Sequence, residues 1–331
     1  TRTNDEIRKD TWASYKAATA SAEEILDLDA DNYVAHAYLA FINALRWGEH
    51  GEGDDFARRA RDHLERARAA GEDHSRIHAA EAYVLHFSGK SDQAEALLEK
   101  VLEKQKSGVL FTALGLIQMW TGDLDAAAIS LRRAQQEEPN SVRVLAALGE
   151  LNRRRGMDGK ALTFYDSALR IDGEHAGSLL GKALLILDAN EAELSRADHE
   201  RLLGEAEGQI DKVLSLPEGT ISARQLALAK FARSQLLFAT GRREEGARLE
   251  EEAFTLDPAN PDIRLMRGRR HLREGRIDDA VADIRAAIDM DERASFYVDL
   301  SRALLARRGG AGEAVAALKT ALQTFPDSGR I

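Results

Sequence analysis

Residues Trp120–Pro139 read WTGDLDAAAISLRRAQQEEP, and residues Arg273–Glu292 read REGRIDDAVADIRAAIDMDE. Gly122, Ala127, Leu131 and Ala134 have counterparts 153 residues on, at Gly275, Ala280, Ile284 and Ala287. One order of Gly, small, apolar and small residues returning at a fixed offset marks an internal repeat. The offset is four and a half periods of 34 residues, and windows of that length fit at 108–141, 142–175, 227–260, 261–294 and 295–328. The stretch 75–107 is one residue short, 33–74 is eight too long, and 176–226 carries the surplus half period. Residues 1–32 read as the second half of one more unit.

Each window reads as two helices and a turn. A small residue sits where the first helix must be crossed: Ala40, Ala82, Gly115, Gly149, Ala183, Ser234 and Gly268, with Arg302 breaking the column. Side chains that small let two helix axes come to about 8 Å. A Gly then ends the first helix at 89, 122, 156, 241, 275 and 309, a place where a helix often needs a residue of positive φ. Asp158 and Asp278 are expected to cap the second helix. That helix carries Ala near its start, at Ala94, Ala127, Ala161 and Ala280, and a small residue seven positions later, at Ala134, Ala168 and Ala287. Pro139, Pro258 and Pro326 close three of the windows, where a helix must stop.

On these residues the chain resembles the tetratricopeptide repeat family. FTALGLIQMWTGDLDAAAISLRRAQQEEP (Phe111–Pro139) and VLAALGELNRRRGMDGKALTFYDSALRID (Val144–Asp172) carry its small–Gly–Ala–Ala framework, and about eight repeats span nearly the whole chain. The large residue the family places early in the first helix is present at Phe111 and Leu145, but Lys230 and Arg264 stand there in two other repeats. The resemblance implies an all-α fold, an α-α superhelix or right-handed solenoid of antiparallel helix pairs spanning 33–328. Its first helices would line a concave groove that takes up an extended peptide or partner helix. It also implies stability summed from neighbour interfaces.

Composition sets outer limits. The 331 residues are 31% charged and 44% hydrophobic, with five Pro and no Cys. Disulfides, thiolate metal sites and Cys nucleophiles are excluded. A net charge of −10 argues against general nucleic-acid binding, which uses a basic face. No apolar run reaches the roughly 18 residues of a membrane helix. A cytoplasmic setting is the expectation, with a periplasmic one open if a leader has been removed. Usage of Ala, Arg and Gly suggests a bacterial source.

No cofactor is called for and no enzymatic role is expected. No nucleophile motif surrounds any Ser or His. His74 and His78, with Glu81, share a helical spacing but lack a further defined ligand. Trp47–Asp55, WGEHGEGDD, is Gly-rich without the GK[ST] ending of a phosphate loop, so it reads as a loop extension. Ser195 with Asp198 reads as a capping box opening a long helix in the second insertion, and Thr220 as the cap of the helix after it.

The family's groove positions hold Phe41, then Tyr83 and Phe87, then Leu116, Met119 and Trp120, and in the fourth repeat Arg153 and Arg154. These eight are the candidate partner-binding residues: an apolar, aromatic stripe followed by cations suited to acidic flanks. Two readings of the aromatics stand side by side, an open groove or ordinary packing, including cover by the Gly-rich loop. The Lys/Asn carboxylate clamp of some family members is absent, since Ala37, Phe41, Ala79 and Tyr83 hold the matching places. A non-enzymatic scaffold or adaptor with a protein or peptide partner is therefore expected. A helical-repeat RNA binder, or a non-catalytic part of an envelope secretion, export or motility machine, is the alternative. At the far end, Val315, Leu318, Leu322 and Phe325 are expected to leave an apolar face for a further helix or a second copy.

Overall fold

Between Trp120 and Leu124 the chain reverses in three residues. The helix Gly108–Thr121 stops at Gly122, whose φ of 93° is left-handed, a conformation that an L side chain seldom adopts. Asp123 then caps the next helix, Leu124–Glu137, its side chain accepting from the Ala126 N–H at 2.9 Å. Gly89, Gly156, Gly241, Gly275 and Gly309, at the same turn of other pairs, repeat this φ within about 25° of it. The expected caps at Asp158 and Asp278 are corrected. Both lie within the first turn of their helices, and Met157 holds the cap position before Asp158. Their carboxylates face the positive end of the helix dipole instead.

The computed structural model describes residues 11–70, 74–187, 195–217, 219–290 and 294–324. These form seventeen α-helices and no strands. They are α1 (Trp12–Leu28), α2 (Tyr33–Gly48), α3 (Asp54–Ala69), α4 (Ser75–Phe87), α5 (Ser91–Leu102), α6 (Gly108–Thr121), α7 (Leu124–Glu137), α8 (Val142–Arg154) and α9 (Asp158–Ile171). They continue as α10 (Ala176–Leu187), α11 (Arg196–Leu214), α12 (Ala223–Ala239), α13 (Arg243–Leu256), α14 (Pro261–Arg273), α15 (Ile277–Met290), α16 (Ala294–Ala306) and α17 (Ala311–Thr324). From α2 onward they make eight helix pairs of the α-α superhelix class. Contacts divide the chain into two units, 1–232 and 233–331.

From α2 to α11 each first helix packs on its own second helix, and from α3 to α9 each second helix packs on the first helix of the next pair. The small column is what permits this. A Cβ added to Gly115 on α6 would lie 2.7 Å from Leu131 Cγ on α7. Added to Gly149 on α8 or Gly181 on α10, it would overlap the Tyr165 ring, at Cε1 in both cases; that ring fills the gap between those helices from α9. Ser195 caps α11, accepting from the Asp198 N–H at 3.1 Å. The cap of α12 is Ser222 rather than Thr220. Ser222 and Gln225 form a reciprocal box of 3.0 and 3.2 Å, while the Thr220 hydroxyl donates to the Pro217 carbonyl.

The second unit packs around Leu265, Ile284, Phe296 and Leu304 and carries buried acids paired with arginines beside that core. Asp283 accepts from Arg267 at 2.6 and 2.9 Å. Asp299 accepts from Arg269, and the fully buried Glu250 from Arg270 at 2.5 Å. Burial pushes the Glu250 pKa up against the pull of Arg270. On α17, Val315 and Leu322 are half exposed and Leu318 is half-buried. Phe325 lies outside the described residues.

Candidate functional site

In the first unit the last turns of α2, α4 and α6 each present a large ring: Trp47, Phe87 and Trp120. Phe87 and Trp120 occupy matching places, five residues past Ala82 and Gly115, and Arg154 holds that place in the fourth pair. In α2 it belongs to the buried Leu45, and Trp47 lies two residues further on. The rings touch in sequence, Trp47 to Phe87 at 6.0 Å edge-on and Phe87 to Trp120 at 5.3 Å. His86 stacks on Trp120 at 5.2 Å, and its Nδ1 lies 3.0 Å from Ser91 Oγ. Burial pushes the His86 pKa down to about 4, so the ring is neutral near pH 7. Phe87 sits directly on Gly48, where any Cβ would overlap its ring. All four rings are half-buried. Arg61 lies 5.5 Å over Trp47, and Glu95, whose pKa burial raises, accepts from Thr121. The result is an aromatic ladder with one edge in solvent and charged groups along it.

Behind the ladder lie the other predicted residues. Phe41, Tyr83, Leu116 and Met119 are each 5% exposed or less and belong to one buried cluster with Tyr15 of α1. The reading of these four as an open apolar stripe is thereby corrected: they are packed. Phe41 and Trp120 lie against the Tyr83 ring at 5.8 and 6.0 Å. Arg153 and Arg154 do not reach outward for acidic groups either. Arg153 makes two bonds to Glu150, at 2.8 and 2.9 Å. Arg154 donates to Glu150 at 2.9 Å and to the Met119 carbonyl at 3.1 Å. Such pairing in cis lowers the charge offered to a partner.

The inner side of the unit is covered by α1 and the Gly-rich segment that follows α2. Arg143 of α8 holds Glu49 at 2.7 Å and the Tyr15 hydroxyl at 3.2 Å. His50 is buried against the rings of Trp12 and Tyr15, at 5.3 and 5.8 Å, with Nδ1 3.4 Å from Ser222 Oγ. Arg224 of α12 donates to the Gly48 and Glu49 carbonyls. Sequence reasoning missed Trp47, Tyr15, Glu49 and Arg224. The one available signal was the surplus of eight residues in the first repeat, which had to lie somewhere.

His74 caps α4 through Nδ1, which accepts from the Arg76 N–H, and Glu81 pairs with Arg68. Among the described residues no group of three His, Cys, Asp or Glu is placed to hold a metal, and no helix is long and apolar enough to cross a membrane.

A tetratricopeptide repeat family model matches residues 112–176 and 265–329. Among solved structures, the human IFIT1 dimer with PPP-AAAA is similar at a TM-score of 0.59 and 17% identity, over 96% of this chain and 70% of that one. A thermophilic repeat protein of Thermus thermophilus is similar at 0.48 and 20% identity, over 60% of this chain and all of that one. Pseudomonas aeruginosa pilF matches at 0.46 and 19%, over 66% of this chain and 92% of that one. No curated protein sequence matches. At these identities the likeness is one of fold.

Proposed function

The chain is a tetratricopeptide repeat protein, and from that premise we propose that it is a non-enzymatic scaffold whose first unit takes up a segment of a partner protein on the Trp47–Phe87–Trp120 ladder. The observation that carries this reading is the contact of three half-buried rings in the last turns of three successive first helices. Large aromatic residues are enriched among the residues that carry most of the energy of protein interfaces. A partner helix or strand laid across the ladder meets a ring at each repeat, and the neutral His86 presents no charge to be desolvated.

The predicted eight thus divide by role. Phe87 and Trp120 contact the partner. Phe41, Tyr83, Leu116 and Met119 hold the ladder from behind, and Arg153 and Arg154 close its end through Glu150. A photo-crosslinking residue in place of Trp120 identifies the partner in cells. Replacing Phe87 and Trp120 with Ala should then weaken binding of the purified partner by about 30-fold, the equivalent of about 2 kcal/mol, with helicity unchanged. Undiminished affinity in a folded double variant would overturn the reading.

A further inference from the structure

Seen from Arg143 and Arg224, the Gly-rich segment is held as a peptide is held. Arg143 reads the side chain of Glu49, with Nη2 at 2.7 Å and Nη1 at 3.5 Å from its two oxygens. Such a two-pronged grip suits a carboxylate. The same Nη1 lies 3.2 Å from the Tyr15 hydroxyl. Arg224 reads the backbone, its Nη1 donating to two successive carbonyls, Gly48 at 2.7 Å and Glu49 at 3.2 Å. Neither grip depends on the identity of the residues around the one acid. Gly51, at a φ of 71°, passes so close that a Cβ there would lie 2.7 Å from Arg224 Nε.

We propose that Arg143, Arg224 and Tyr15 form a binding site for an acidic peptide segment, and that residues 48–53 occupy it in cis. The segment is suited to a reversible hold. Three of its six residues are glycines, which lose the most backbone freedom on ordering. Beyond the two arginine grips, what ties it to other elements is one side chain, His50, in the slot between Trp12, Tyr15 and Ser222. Glu52 turns back to Arg46 on its own helix, at 2.9 and 3.1 Å. A partner carrying Glu or Asp in a flexible stretch offers the same carboxylate and the same carbonyls. It competes against a tethered rival whose effective concentration is about millimolar. The site adjoins the ladder, because Phe87 packs on Gly48, but its test is separate, since the ladder variants leave both arginines and Tyr15 in place.

The test uses the full chain and a fluorescent synthetic peptide of residues 46–53, RWGEHGEG, followed by anisotropy. Glu49→Gln keeps the shape of the segment and removes the charge that competes. His50→Ala empties the slot. Each variant should bind the peptide at least about tenfold tighter than the wild-type chain does. Adding Arg143→Ala should return binding to the wild-type level, and a peptide with Gln in place of its first Glu should bind poorly throughout. Equal binding by wild type and Glu49→Gln would overturn the proposal, as would binding indifferent to Arg143→Ala. Loss of helical signal in Glu49→Gln would also overturn it, because the segment would then be a structural brace.

Discussion

Gly48→Ala isolates the ladder with one methyl group. Gly48 is the last residue of α2 and has helical backbone, so alanine meets no conformational penalty there. In a helix it gains up to about 1 kcal/mol over glycine, and less at a terminus. Against that, the new Cβ would overlap Cγ, Cδ2 and Cε2 of Phe87. Because Cγ is among them, turning the ring about its own axis does not clear the clash, and the whole side chain must leave. It then gives up its contacts with Trp47 at 6.0 Å, Tyr83 at 6.1 Å and Trp120 at 5.3 Å. At about 0.5–1.5 kcal/mol for each aromatic pair, the loss is about 2–4 kcal/mol and outweighs the helix gain. A net destabilisation of about 1–3 kcal/mol corresponds to a fall of roughly 3–10 °C in the melting temperature of a unit this size. Circular dichroism at 222 nm and tryptophan fluorescence both report it. Partner binding should drop in the same variant at temperatures where it is folded. In a Phe87→Ala background, where the clash is gone, Gly48→Ala should cost nothing. A single variant that melts at or above the wild-type temperature would refute the argument, because Phe87 could not then lie over Gly48.

Gly149→Ala and Gly181→Ala each press a methyl into the ring of Tyr165. Each should lower the unfolding free energy read from urea denaturation by about 1–3 kcal/mol of overpacking, less the helix gain, and Tyr165→Leu should relieve both; a stabilising single variant would contradict the packing. Stability should also fall as the medium is acidified from about pH 6.5 to 4. His63 lies 2.9 Å from His36, and burial together with His36 pushes its pKa down to about 4, while burial alone does so for His86. In the unfolded chain both take up protons near pH 6.5, so the unfolded state binds more protons across that window and gains on the folded one. His63→Gln with His86→Gln should flatten this part of the melting-temperature profile, and a profile unchanged by both would refute the assignment.

The repeat was open to reading because its marks are local. Gly122, Ala127, Leu131 and Ala134 serve contacts made within one helix pair, and each pair restates them. The caps were harder, since Asp158 and Met157 differ by one residue and only backbone geometry decides between them. The site was half legible. Spacing picked out the face on which Phe41, Tyr83, Phe87 and Trp120 lie, but their exposure depends on what covers that face. Two of the covering pieces, α1 and the segment after Gly48, come from the atypical parts of the chain. Their links run from Glu49 to Arg143 and from Gly48 to Arg224, between residues with no periodic relation. A 34-residue pattern carries no trace of them. Trp47 escaped notice because it opens the insertion and looked like loop.

Those same links set an order of events in time. A helix pair can dock on its neighbour as soon as both have formed, since their contacts lie close along the chain and such contacts close quickly. Gly48 and Arg224 are 176 residues apart. During synthesis from the N-terminus, Arg143 on α8 therefore becomes available to Glu49 first, and the segment waits for four further helices, α9 to α12, before its second holder exists. Until then His50, packed on Trp12 and Tyr15, lacks the partner that Ser222 brings. The first unit is thus completed by its latest-made helix.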